Sequence, residues 1–178
     1  MSARREIAQR MRSLLENGCV ILDLETTGLA DSRVDIVEVA IIDAQGAPLL
    51  NTLVKPRGPI PPEASRVNGI YDHDVADAPS FLEIYPRLLR HLAGQPVVAY
   101  NYTFERDILD ICVGRYGLRL AIKEWACAMR DYTKFSGAAR YCKLTNACVQ
   151  EGIVVGEAHR ALGDTLMTLE LMRRMAAG

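Results

Sequence analysis

The stretch VILDLETTGL, residues 20–29, has the composition of a buried β-strand, yet two carboxylates interrupt it. Because side chains two positions apart on a strand share a face, Asp23 and Glu25 are predicted to project together, with Cα atoms about 6.6 Å apart. An ionised carboxylate is costly to bury unless it is paired or bound to a metal ion. Gly28 allows a turn that brings backbone N–H groups close to a ligand. The stretch therefore predicts either a metal site or two exposed acids at the end of a strand.

A third acid lies near the start of the last predicted helix. Asp164 shares a helical face with Thr168, Leu171 and Met175, which form a largely apolar stripe. This pattern indicates that Asp164 faces the protein interior. A favourable interaction with the helix dipole is the alternative reason for an acid at this position.

A fourth acid lies on another predicted helix, where the helical period distinguishes between two candidates, Glu105 and Asp107. Glu105 shares its face with Ile108 and Cys112 and points inward, whereas Asp107 shares its face with Asp110 and points outward. Four inward acids repel one another, and this repulsion is hard to tolerate unless bound cations offset it. Oxygen ligands favour Mg²⁺ or Mn²⁺ over zinc.

One of the three histidines is predicted at the mouth of this site. His159 precedes Asp164 by five residues, about 140° around an ideal helix, so a place on the loop or first turn is expected. An unperturbed imidazole has a pKa of about 6.5, which suits a base that activates water. His73 and His91 are interpreted as structural or solvent-exposed.

The remaining pattern predicts an amphipathic helix over residues 1–17 and one α/β domain over residues 18–178. Three strands in a meander, the last two joined as a hairpin, precede alternating helices and strands. This order predicts a mixed five-stranded sheet flanked by helices. Predicted strands cover residues 18–24, 35–43, 48–55, 94–101 and 125–129. Predicted helices cover residues 80–92, 103–116, 144–151 and 159–176, with a short helix after the Pro-rich loop in residues 55–70.

Composition narrows the class of protein. The formal net charge is −1, so affinity for nucleic acid must come from a local patch or bound cations. The five cysteines are scattered and form no C-x-x-C pair, which argues against a disulfide framework or zinc site and favours a reducing, cytoplasmic location. No segment approaches the roughly 18 continuous apolar residues of a membrane span, so no membrane association is expected.

Three ordered motifs resemble those of the DnaQ-like 3′–5′ exonucleases, the DEDDh branch of the DEDD nucleases in the RNase H-like superfamily. They are DLETTGL (23–29), VVAYNYTFERDIL (97–109) and HRALGD (159–164), and RVNGIYDHDVADAPSF (66–81) resembles the segment between the first two motifs. The resemblance covers about residues 19–172. It implies an RNase H-like fold and the removal of nucleotides from 3′ ends with two divalent cations, Mg²⁺ or Mn²⁺.

The resemblance also implies roles for the site residues. Asp23 would bridge both cations, Glu25 and Asp164 would help to hold the cation that binds the attacking water, and His159 would take the proton from that water. The family normally has aspartate directly after the phenylalanine of the second motif, where this chain has Glu105. The extra methylene is either absorbed by an intervening water or displaces the second cation. Asp107 is the other candidate ligand, although its helix face argues against it.

A pocket for the terminal nucleotide is implied as well. Leu29 would act as an apolar wedge against a base, and Asn101 would hold the second-motif loop by hydrogen bonds; turn formation or core packing is the alternative for each pocket residue. The residues implied at the pocket are Thr26, Thr27, Gly28, Leu29, Asn68, Gly69, Ile70, Asn101 and Phe104.

A basic stretch with interleaved aromatic residues, residues 130–143, favours either a track for a nucleic-acid strand or a solvated helical face. Its members are Arg130, Tyr132, Lys134, Phe135, Arg140, Tyr141 and Lys143.

The leading hypothesis is a metal-dependent 3′–5′ exonuclease that acts on 3′ ends of nucleic acid, with single-stranded DNA favoured over RNA. An oligoribonuclease-like RNase is an alternative, although that group usually has EMTGL where this chain has ETTGL. The other alternative is a catalytically weakened binding module or proofreading subunit that joins a polymerase or repair partner non-covalently. The oligomeric state stays open, because the first helix can pack on this domain or on a second copy.

Overall fold

The computed structural model describes residues 3–156 and 159–178, and its centre is a mixed five-stranded sheet. The strand order is β3-β2-β1-β4-β5, with antiparallel pairing from β3 to β1 and parallel pairing from β1 to β5. The predicted sheet and its hairpin are therefore confirmed. The strands are β1 (Val20–Thr26), β2 (Ile36–Asp43), β3 (Pro48–Leu53), β4 (Pro96–Ala99) and β5 (Glu124–Cys127).

Helices cover both faces of this sheet. They are α1 (Ala3–Asn17), α2 (Pro62–Asn68), α3 (Phe81–Leu92), α4 (Tyr102–Arg115), α5 (Ala128–Ser136), α6 (Leu144–Gln150) and α7 (Ala161–Ala177). Two predictions were wrong in detail. The predicted fifth strand ends at Cys127, because α5, which was not predicted, begins at the next residue. The last helix begins two residues later than predicted, because His159 has a φ of 63° and Arg160 is extended.

Alternation along β1 decides which helices meet its side chains. Ile21 belongs to the core formed with α1, α5, α6 and α7, whereas Leu22 and Leu24 belong to the core formed with α3 and α4. Since side chains alternate along a strand, Asp23 and Glu25 continue the row of Ile21 toward α7. The predicted division of β1 into two faces is confirmed.

The first helix packs against α5 and α7. Ile7, Met11 and Leu14 are buried there, and Met11 has no exposed surface. Its apolar stripe therefore forms part of the core on the α7 side of the sheet. Among the described residues, the structure has no helix that is both long and apolar enough to cross a bilayer.

A buried acid fixes the loops at the end of β1. Asp35 is 9% exposed and accepts hydrogen bonds from Arg115 Nη1 at 2.6 Å and Arg57 Nε at 2.9 Å. Its backbone N–H donates to Thr27 Oγ1 at 2.9 Å. These bonds connect the β1–β2 loop to α4 and to the loop after β3, and they hold the TTGL turn in place.

The packing of α1 predicts that Met11→Ala lowers the free energy of unfolding by about 2–5 kcal/mol, because it removes a fully buried side chain and leaves a cavity. Urea denaturation followed by circular dichroism measures this change. The matched control is Glu16→Ala on the exposed face of the same helix, which should stay within about 0.5 kcal/mol of wild type. Equal stability of the two variants would mean that α1 is not part of the folded unit.

Candidate active site

Three carboxylates from two distant parts of the chain meet at the end of β1. Asp23 and Glu25 come from β1 and Asp164 from the first turn of α7, and one oxygen of each lies within 4.8 Å of those of the other two. All three side chains are half-buried. The arrangement offers a set of oxygen ligands that suits a hard divalent cation.

The fourth predicted acid lies beside this group. Glu105 is in the first turn of α4 and only 5% exposed, while Asp107 points outward and pairs with Arg106 at 2.8 Å. Glu105 Oε2 is buried and accepts no hydrogen bond from the described residues. A buried carboxylate oxygen without a partner is costly. This oxygen and the three clustered carboxylates therefore fit a bound cation.

Burial raises the pKa values of all four acids, and the charges of neighbouring carboxylates add to this effect. Burial, followed by the charges of Asp164 and Glu38, raises the pKa of Glu25 from 4.5 to about 8. The pKa of Glu105 also rises to about 8, chiefly because of burial. The pKa values of Asp23 and Asp164 are raised with burial as the largest cause. Near neutral pH, the cluster therefore holds protons that a divalent cation would displace.

His159 stands on the loop directly before α7, where the sequence predicted a residue at the mouth of the site. It is exposed and has a left-handed backbone conformation, which is uncommon for a residue other than glycine. Its charge and a hydrogen bond to its backbone lower the pKa of Asp164, against the larger effect of burial. His159 is thus close enough to Asp164 to affect its protonation.

An apolar cavity of about 400 Å³ adjoins the acids. Leu29, on its wall, has 82% of its surface exposed, and Thr26 Oγ1 donates to the Gly28 carbonyl at 2.7 Å to form the turn. Such an exposed leucine beside a cavity is available to contact a ligand. Of the predicted pocket residues, those on the cavity wall are Thr26, Gly28, Leu29, Asn68 and Phe104. Glu25, Glu63 and Val67 line it as well.

Some predicted pocket residues have other positions. Ile70 is 2% exposed and packs in a small core with Val37 and Ile60, so apolar burial keeps it away from the cavity. Gly69 ends α2 with a φ of 70°. Asn68 supports the turn, because its Nδ2 donates to the Thr26 carbonyl at 3.2 Å.

Two further predictions concern the second motif and the first turn. The Asn101 side chain forms no capping hydrogen bond, and its backbone carbonyl accepts the Phe104 N–H at 2.9 Å instead. Thr27 faces a second cavity on the other side of the turn, where its Oγ1 accepts the N–H of Asp35. The hydrogen bond from Asp35 therefore holds the turn at Thr27. The first turn of α4 is held by the backbone hydrogen bond between Phe104 and Asn101 rather than by the Asn101 side chain.

The predicted aromatic track is wrong in two of its three aromatic residues. Tyr132 and Phe135 are 1% and 4% exposed, because the apolar face of α5 packs into the core. The Arg130 guanidinium lies over the Tyr102 ring instead, 5.1 Å from its centroid, with Arg106 at 5.5 Å. Neither Tyr102 nor Arg106 was predicted as a site residue, although both lie within the second motif.

A fifth acid near the site was also missed. Glu38 is 3% exposed on β2, directly opposite Glu25 in the sheet, and Arg160 Nη2 donates to its Oε1 at 2.7 Å. The signal that identified Asp23 and Glu25, an acid in an apolar strand, is present here as well. Glu38 differs from them in that an arginine neutralises its charge.

Known proteins that resemble this chain include several exonucleases. The model of the RNase T exonuclease family matches residues 20–172. The chain is 36% identical to the uncharacterized exonuclease CP81 of Escherichia phage 186, over 97% of this chain and 95% of that protein. It is 31% identical to the DNA polymerase III subunit epsilon of Treponema pallidum, over 87% of this chain and 74% of that protein. A solved structure of exonuclease X in complex with 5′ overhanging duplex DNA superposes with a TM-score of 0.70 at 26% identity, covering 90% and 92% of the two chains.

The raised pKa values predict how stability depends on pH when EDTA removes cations. Between about pH 4.5 and pH 8, the folded chain keeps a proton on Glu25 that the unfolded chain releases. The folded state therefore loses stability as pH rises through this window, and we expect Tm to fall by roughly 5 °C. Differential scanning fluorimetry in EDTA across this range measures the change, and added Mn²⁺ should stabilise most at high pH.

The control for this pH dependence is Glu25→Gln, which cannot bind or release a proton at this position. Its Tm in EDTA should fall less steeply than that of wild type. An equally steep decline would assign the pH dependence to other groups.

Proposed function

Because the chain belongs to the RNase T exonuclease family, we propose that it removes nucleotides one at a time from 3′ ends, with single-stranded DNA preferred over RNA. The family resemblance inferred from the three motifs is confirmed, as is the RNase H-like fold. Exonuclease activity and the DnaQ-like class are common to the relatives, whereas direction, substrate and residue roles are our proposals.

One observation carries this proposal: three carboxylates that form no ion pair among the described residues meet beside an open apolar cavity. The cavity of about 400 Å³ is of a size to hold a nucleotide. Leu29 lies at its edge, where an exposed apolar side chain can pack against a terminal base. A phosphodiester that enters this cavity would lie next to the acids.

Asp23, Glu25, Glu105 and Asp164 would together hold two divalent cations. When bound, such cations stabilise the attacking oxygen, the leaving oxygen and the charge that develops at phosphorus. His159 is exposed beside Asp164 and would accept the proton from the attacking water. Hydrolysis would then release a nucleotide and leave a new 3′ hydroxyl.

The preference for DNA is supported by exonuclease X, which was solved with duplex DNA. The five cysteines are free, which supports action in the reducing cytoplasm. Arg130 and Arg106, which lie over the Tyr102 ring, would add positive charge beside the nucleic-acid strand that leads to the site.

A second candidate function is that of a proofreading subunit with weakened catalysis. It is favoured by the similarity to a DNA polymerase III subunit epsilon and by Glu105, which stands where the family normally has aspartate. Such a subunit would bind 3′ ends and a polymerase or repair partner non-covalently. Turnover by the isolated chain separates the two candidates.

We expect 5′-labelled single-stranded DNA to shorten from its 3′ end in Mg²⁺ or Mn²⁺ and to stay intact in EDTA. Matched RNA should be cleaved more slowly. Asp23→Asn should lower the rate by at least about 100-fold, because it removes a negative charge from the proposed cation site. The measurement is a time course of product ladders on a denaturing gel.

The matched control for Asp23→Asn is Asp107→Asn, which changes an outward acid on α4. Its rate should stay within about threefold of wild type. A wild-type rate in Asp23→Asn would refute the site, and shortening from the 5′ end would refute the proposed direction.

Glu105 gives a separate prediction. Because no described residue donates a hydrogen bond to its buried Oε2, Glu105→Gln should lower the cleavage rate at least about tenfold by removing charge from the site. Glu105→Asp restores the residue usual in the family and should stay within about tenfold of wild type. The same gel assay measures both rates. An inactive wild type with an active Glu105→Asp would favour the weakened proofreading subunit.

A further inference from the structure

The carboxylate oxygens of the buried acid Glu38 accept hydrogen bonds from the segment that begins α7. Arg160 Nη2 donates to Oε1 at 2.7 Å, and Arg160 Nε lies 3.2 Å from both carboxylate oxygens. The Ala161 N–H donates to Oε2 at 2.9 Å. With both oxygens in use and 3% of its surface exposed, Glu38 has little surface left for contact with a substrate.

These contacts replace a missing helix cap. The N-cap residue of α7 is Arg160, whose side chain forms no capping hydrogen bond. The first N–H groups of a helix need acceptors. Glu38, from a strand 123 residues away in sequence, accepts the Ala161 N–H in its place. The start of α7 is therefore fixed to the centre of the sheet.

Two site residues depend on this fixed point. His159 directly precedes Arg160 and has a φ of 63°, a conformation that persists only where the surroundings hold it. Asp164 lies in the first turn, and its N–H donates to the Arg160 carbonyl at 3.0 Å. On the opposite side, Glu38 is the register partner of Glu25. The Glu38–Arg160 pair thus connects both halves of the site.

We propose that Glu38 and Arg160 are positioning residues whose ion pair places His159 and Asp164 against Asp23 and Glu25. This proposal rests on the exonuclease function proposed above. Neither residue needs to touch the reacting atoms. Residues that orient ligands in this way typically contribute 10- to 100-fold to metal affinity or activity.

A competing role for Arg160 is direct binding of a substrate phosphate, since 47% of its side chain is exposed. The two roles predict different kinetics. Direct binding would raise KM in Arg160 variants alone, and Glu38 and Arg160 substitutions would have additive effects. Positioning lowers kcat in variants of either residue, and the effects overlap because both break the same pair.

The experiment compares wild type with Glu38→Gln, Arg160→Ala and the double variant in steady-state cleavage of single-stranded DNA. We expect each single substitution to lower kcat about 10- to 100-fold with KM within about threefold. The double variant should be no worse than the more affected single variant. Asp131→Asn is the control, because Asp131 is also buried and paired with an arginine, Arg10 at 3.3 Å, on the α1–α5 side of the protein. Its kcat should stay within about twofold of wild type.

A second readout needs no substrate: Mn²⁺ titration by calorimetry. Removing the positive charge of Arg160 would tighten Mn²⁺ binding if charge alone mattered. The positioning role predicts that Arg160→Ala weakens Mn²⁺ binding about tenfold, as Glu38→Gln does. The sign of the change in Arg160→Ala therefore separates the two explanations.

Tighter Mn²⁺ binding by Arg160→Ala, a raised KM confined to that variant, or an unchanged kcat in Glu38→Gln would each overturn the proposal. A wild type that cleaves no nucleic acid would instead refute the proposed function. The Mn²⁺ affinities would still test the Glu38–Arg160 pair in that case.

Discussion

Repulsion among carboxylates at the end of β1 is the constraint on which the rest of the site depends. Asp23, Glu25 and Asp164 bring oxygens within 4.8 Å of one another, and Glu105 adds a buried charge beside them. Burial disfavours the ionised form of each acid, and the charges of neighbouring carboxylates add to this effect. A chain keeps such an unfavourable group only where the surrounding fold over-determines it, which is typical of functional sites. Divalent cations are the natural counter-charge.

The buried acids of the fold are of two kinds: some are paired with arginines, and others are not paired among the described residues. Asp35 and Glu38 each have an arginine within hydrogen-bond distance, and they fix the β1–β2 loop and the start of α7. Among the described residues, the acids of the site form no ion pair, so their charges remain for cations. The paired acids fix the loop and helix segments that position the unpaired acids. This division explains why six buried or half-buried acids can lie around the end of β1 in a mostly apolar sheet.

Much of this arrangement follows from local periodicity. The period of two along β1 placed Asp23 and Glu25 on one face, and the 3.6-residue period of α4 chose Glu105 over Asp107. The same reasoning failed for Tyr132 and Phe135, since an interleaved basic and aromatic pattern does not reveal which face of α5 packs inward. It also placed the start of α7 two residues too early, because His159 has a left-handed backbone conformation and Arg160 is extended.

The sequence by itself determined the fold class, the three motifs and four acids of the site, because strand and helix geometry repeats within a few residues and is visible in any short window. Only the tertiary structure decided which partner each acid receives. Arg160 reaches Glu38 across 122 residues and Arg115 reaches Asp35 across 80. Such contacts depend on how helices pack on the sheet, and the spacing of residues along the chain carries no information about distances of that kind. The physical difference between an acid that has an arginine partner and one that has none among the described residues therefore lies in packing.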